Sequence, residues 1–109
     1  MSATPRPSQQ LVQVPIRITH RDGAPPVIDN ESVIIDREQG GNEIEIVWFC
    51  DSTDKDFFIC FPAESPFQQR HFHRGNSRSG TIRKGASGRY KYNIEIDGQV
   101  LDPQVIVRP

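Results

Sequence analysis

The 109-residue chain is poor in the residues that most often carry chemistry: three histidines, two cysteines, one tryptophan and one methionine. Each scarcity excludes something. The only methionine is Met1, so no internal thioether is available as an axial metal ligand. Two cysteines cannot make a disulfide framework, and Cys50 and Cys60 lack the CxxC spacing of redox and zinc motifs. They read as buried thiols flanking a polar loop, with a cross-hairpin bridge as the stereochemical alternative. No run is apolar and long enough to cross a bilayer, so no membrane partner is expected. The opening MSATPRPSQQLVQ has no cationic start followed by an apolar stretch, so a cytoplasmic location is expected. Neither sign of charge dominates. Thirteen Lys and Arg stand against fourteen Asp and Glu, which argues against general affinity of the whole chain for polyanions. There is no G-x-S-x-G, no phosphate loop and no diagnostic Ser/His/Asp or Cys/His order, so an enzyme is not expected.

Turn formers are what the chain has in quantity, nine prolines and eight glycines spread along its length. Between them the apolar residues alternate. Val14, Ile16 and Ile18 share one face of a strand with Arg17 and Thr19 on the other, and Asp22-Gly23 with Pro25-Pro26 ends it. Residues 27–36 are extended, and Gln39-Gly40-Gly41-Asn42 is a turn. In Glu43–Cys50, Ile44, Ile46, Trp48 and Cys50 point one way. A loop over 51–56 leads to the apolar run Phe57–Phe61, and residues 63–80 read as a long loop with one short strand at His71–His73. A further short strand is expected to begin at Thr81 and Ile82. Tyr90, Tyr92, Ile94 and Ile96 face inward from Arg89–Asp97, and Asp97-Gly98 is a hairpin dipeptide. No helical period and no repeat occur. The expectation is an all-β, antiparallel Greek-key β-sandwich of seven to eight strands over residues 13–109, with residues 1–12 a flexible arm. Trp48, Ile44, Ile46, Ile59, Phe61, Tyr90, Tyr92, Ile94 and Ile96 are its expected core.

The segment Gly88-Arg-Tyr90-Lys-Tyr92-Asn-Ile94-Glu-Ile-Asp-Gly98-Gln99 resembles the closing segment of cupredoxins, the blue-copper sandwiches, whose pattern is G-x-Y-x-[YF]-x-C, four residues, then His preceded by Gly. Val47-Trp48 through Phe57–Phe61 is similar to the strand pair that delivers the first histidine ligand in that family, and the match spans about residues 43–107. An Ig-like sandwich with a tyrosine before its last turn is the alternative. The resemblance implies Ile94 at the cysteine ligand position, Gln99 at the second histidine and Phe57 near the first, with no methionine after them. Blue copper requires a thiolate and two imidazoles. What is implied is a cupredoxin-like domain without copper, for which no cofactor is expected.

Three further features carry alternative readings. His71 and His73 alternate on a strand and could share a metal ion, with His20, a cysteine or a carboxylate as a third ligand. The neighbouring Arg70 and Arg74 disfavour a bound dication. Asp51, Asp54 and Asp56 do not have the spacing of a calcium loop and read as a solvated hairpin loop. Between Glu64 and Glu95 there is no acid, while Arg70, Arg74, Arg78, Arg83, Lys84, Arg89 and Lys91 fall in that interval. A patch of Arg70, Arg74, Arg78, Arg83 and Lys84 would suit a nucleic acid or other polyanion, with Phe67 and Phe72 as stacking aromatics. The competing reading pairs these bases with the acidic N-terminal half. The expected function is a non-catalytic binding or interaction module whose partner is an unknown protein. Anion binding through residues 70–91 is the alternative, and metal binding through His71 and His73 the weaker one.

Overall fold

The computed structural model describes residues 11–36 and 43–108, and these form ten strands and no helix. The strands are β1 (Leu11–Thr19), β2 (Val27–Ile28), β3 (Ser32–Asp36), β4 (Glu43–Phe49), β5 (Phe58–Cys60), β6 (His71–His73), β7 (Gly88–Lys91), β8 (Asn93–Ile96), β9 (Gln99–Leu101) and β10 (Gln104–Arg108). They assemble into three sheets with orders β2-β1-β4, β3-β10-β7 and β6-β5-β8-β9. Two pairings are parallel, β1 with β4 and β3 with β10, and the rest are antiparallel. No described helix is long and apolar enough to cross a membrane.

One core joins the sheets. Alternation sets which residues enter it: Ile16 and Ile18 from β1, Ile46 and Trp48 from β4, Val105 and Val107 from β10. Of the expected core residues only Ile44 is partly buried, and the others are buried outright. Trp48, Phe61, Phe67, Phe72 and Tyr92 form an aromatic cluster, with Trp48 5.1 Å from Phe72 and 5.7 Å from Tyr92 between centroids. The Trp48 indole N–H donates to the Tyr92 hydroxyl at 3.3 Å, so the two polar atoms of the cluster satisfy each other.

The strand count exceeds the seven or eight expected because two continuous readings are divided and Gln99–Leu101 forms a strand of its own, β9. Residues 27–36 split into β2 and β3 around Asp29-Asn30, where Asp29 caps the Arg17 amide and Asn30 caps Ser32. The run from Arg89 to Asp97 splits at Tyr92, whose amide still bonds Pro103 before the chain passes from β7 in one sheet to β8 in another. Alternation continues unbroken through such a crossing, so periodicity cannot reveal it. The hairpin at Asp97-Gly98 is as expected. Both residues have positive φ, 55° and 78°, the geometry that matches the twist of a two-residue hairpin. Thr81 and Ile82 form no strand; Ile82 makes a single bridge to Phe67. Residues 1–10 and the expected turn at 39–42 lie outside the described residues, and Leu11 and Val12, expected in the arm, belong to β1.

Candidate functional site: a cleft beside an open strand edge

Four arginines of the basic segment, Arg70, Arg74, Arg78 and Arg83, are turned onto the protein itself. Arg70 donates through Nε to the Phe61 carbonyl at 3.0 Å and through its terminal nitrogen to the Pro62 carbonyl. Arg74 reaches into the 51–56 loop and donates to the carbonyls of Cys50, Thr53 and Lys55, with its guanidinium 5.3 Å from the Phe57 ring centroid. Asp56 completes that wrap by accepting from the amides of Phe57 and Arg74. Arg83 donates to the Ser65 carbonyl at 2.7 Å. Arg78 pairs with Glu45 at 2.7 Å, and the Gln13 amide also donates to that carboxylate. Among the described residues only Arg78 of these pairs its side chain with an acid of the N-terminal half; Arg70, Arg74 and Arg83 cap carbonyls of loops that lack a ladder of their own. Lys84 is exposed. Phe67 and Phe72, the expected stacking aromatics, are each 2 % exposed and belong to the core, which corrects that expectation: they offer no face to a base.

His71 and His73 lie exposed on β6 with Phe72 buried between them, as strand alternation requires. Across the ladder His71 faces Cys60 and His73 faces Phe58. The Nδ1 of His73 accepts from the Gly75 amide at 3.1 Å within a tight turn. No group of three or more His, Cys, Asp or Glu close enough to hold a metal ion occurs among the described residues. Cys50 and Cys60 are free thiols. His20 is buried at the end of β1, its amide donating to Ser52, and its Nε2 has no hydrogen-bond partner among the described residues. Nearby, Lys55 bridges Asp22 and Asp97 at 3.1 and 2.8 Å. Its hydrogen bonds to Asp97 and then Asp22 raise the Lys55 pKa above 10.5, and the same bond lowers that of Asp97 below 3.8.

A different place in the fold combines an opening with unused bonding groups. Pro62, Ala63, Glu64, Arg89, Tyr90 and Lys91 line a cleft of about 280 Å³. That is just below the usual range of small-molecule pockets and large enough for a side chain or two. The ladder register explains the cleft. Continued beyond Cys60–Asn93, the β5–β8 register would set Pro62 opposite Lys91 and Glu64 opposite Arg89. Pairing stops at Cys60–Asn93 instead. Pro62 has no N–H to give, and its carbonyl is held by Arg70. The chain therefore diverges from β7 and leaves a gap.

The backbone facing that gap follows from parity. Tyr92 donates to Pro103, and in the β7–β10 register this makes Tyr92–Pro103, Tyr90–Val105 and Gly88–Val107 the hydrogen-bonded pairs. The N–H and C=O of Arg89 and Lys91 then point away from β10. The amide of Gln104, opposite Lys91, goes to Glu31 on the far side, as the same parity demands. β7 is the edge of its sheet, and the backbone groups of Arg89 and Lys91 have no partner among the described residues. Both side chains are exposed; Lys91 touches Asp102 at 3.4 Å, and Arg89 makes no ion pair among the described residues. Sequence reasoning placed both residues in the basic segment. It missed the cleft because what opens it is a distant pairing that Pro62 and Arg70 interrupt.

Comparison with family models, with curated proteins and with solved structures gives no match. The functional reading therefore rests on the geometry.

Proposed function

We propose that the chain is a non-catalytic interaction module that takes a protein partner in the cleft between β7 and residues 62–64. The observation that carries this reading is the pair of unpartnered backbone positions, Arg89 and Lys91, along one wall of an open cleft. Backbone amides and carbonyls are strong bonding groups that a protein normally pairs. Here they are presented with two cations beside them. The cleft lining holds one carboxylate, Glu64, and the Tyr90 hydroxyl already bonds the backbone of Ser87, so the donor set suits holding a partner rather than transferring a group.

The same proposal includes a sandwich of cupredoxin-like type without copper. It is supported by the all-β architecture with its core between sheets, and by the side chains at the three implied ligand positions. Ile94 and Phe57 are buried apolar residues and Gln99 stands beside the β8–β9 hairpin. None supplies a thiolate or imidazole.

The cleft reading is tested by selecting binders from a random peptide library against the intact chain, then mapping each by amide chemical shifts. Enriched peptides should shift Ala63, Glu64, Arg89 and Lys91, and the cleft-filling Ala63→Trp should remove their binding. Peptides that map only to the exposed face of β5 and β6 and are indifferent to Ala63→Trp would contradict it.

A further inference from the structure

We infer that the partner enters this cleft as an extended, acidic segment that adds a strand to the free edge of β7. The inference rests on the cleft reading above and names what occupies it. Three observations lead to it.

First, the unused groups have strand spacing. Arg89 and Lys91 are two residues apart on an extended chain, each with N–H and C=O directed outward from the sheet. A partner satisfies both only by running alongside in extended form, with alternate residues exchanging both bonds at Arg89 and at Lys91. Neither a helix nor a compact small molecule presents donors and acceptors at that period.

Second, the protein's own chain almost does this. Residues 62–64 continue from β5 in the direction that would pair with β7, then diverge at Pro62. The gap is an unfilled place in a ladder, with Pro62, Ala63 and Glu64 as its far wall.

Third, charge selects the occupant. Arg89 and Lys91 share the outer face of β7, since Tyr90 between them is buried. Residues of an added strand lying directly opposite would sit against these cations, where opposite charges attract and like charges repel. A second copy pairing β7 with β7 would bring the same two cations against each other, so self-pairing is disfavoured in the way charged edge strands generally are. The fitting segment has Asp or Glu at positions i and i+2 with an apolar residue between them. Glu64 across the cleft limits how many further acids it tolerates.

The experiment uses the full chain labelled with nitrogen-15 and three capped peptides. These are Thr-Glu-Val-Glu-Thr, its counterpart Thr-Lys-Val-Lys-Thr, and the first peptide with both Glu amides methylated. The acidic peptide should move the amide protons of Arg89 and Lys91 downfield and slow their exchange with solvent. The lysine and N-methylated peptides should each bind weaker by about tenfold or more. Arg89→Glu with Lys91→Glu should reverse the preference between the first two peptides while the spectrum keeps its dispersion. Equal binding of the N-methylated peptide, or of the lysine peptide, overturns strand addition by an acidic segment but leaves occupation of the cleft standing. Absence of any response at Ala63, Glu64, Arg89 and Lys91 up to about 1 mM of acidic peptide overturns the inference. If the library-selected peptides also leave these residues unmoved, the cleft reading fails with it.

Discussion

At the scale of single residues, Tyr92 and Glu45 show most clearly how burial and partners determine energetics. Burial disfavours the Tyr92 phenolate and pushes its pKa from 10.0 up to about 12, against a smaller opposing effect of the Trp48 hydrogen bond. A pKa raised by folding means stability that is whole below the unfolded value and lost as pH rises through the folded one. The window is therefore pH 10.0 to about 12. Across it the protein should lose roughly 2–3 kcal/mol through this group alone. Tyr92→Phe should flatten that part of a stability-against-pH curve measured by urea unfolding, and an unchanged slope in the variant would assign the loss to other groups. Glu45 stands on the outward face of β4 yet is only 3 % exposed, because Gln13 and Arg78 cover it. Arg78→Ala would strip a buried carboxylate of its cation and should cost about 1–3 kcal/mol, a range lowered by the exposure of the Arg78 side chain. A melting temperature within a degree of the parent would show that the pair contributes nothing.

At the scale of elements, long-range side chains hold what local sequence does not. The 51–56 loop has few backbone bonds of its own and is wrapped around the guanidinium of Arg74, which serves three carbonyls at once. Arg74→Lys keeps the charge and loses the planar fork, so it should destabilise by about 1–3 kcal/mol. Amide exchange in residues 51–56 should rise more than elsewhere, and a uniform rise would mean that the loop is held by other contacts. The same contrast explains what was legible in the sequence. Strands with clean alternation, such as β4 with Ile46 and Trp48 and the β8–β9 hairpin with Asp97-Gly98, could be read directly, because period and turn chemistry are local. The packing of residues 63–80, legible as a long loop with the short strand that became β6, could not. Phe67 and Phe72 read as exposed stacking aromatics, and only the fold brings them against Phe61 and Trp48. The candidate site was the least legible part. The basic side chains of Arg89 and Lys91 were visible in sequence, but which way their amides point depends on pairing with β10.

At the scale of the whole molecule, three sheets share one core while β7 keeps one edge free beside a cleft. The side chains at the positions implied for copper ligands, Ile94, Gln99 and Phe57, suit packing and hairpin formation. Addition of copper(II) to the purified protein should produce no intense visible thiolate-to-copper band, and a blue product would overturn the register drawn with cupredoxins. The free edge of β7 is more central, since both the function proposed for the chain and the identity of its partner depend on it. Site-resolved hydrogen exchange on the unliganded protein tests it most directly. Tyr90, paired across to β10, and Tyr92, bonded to the Pro103 carbonyl just before it, should exchange slowly, while Arg89 and Lys91 beside and between them exchange close to the rate of an unstructured chain. Protection of Arg89 and Lys91 equal to that of Tyr90 would mean the edge is already paired, leaving no place for an added strand.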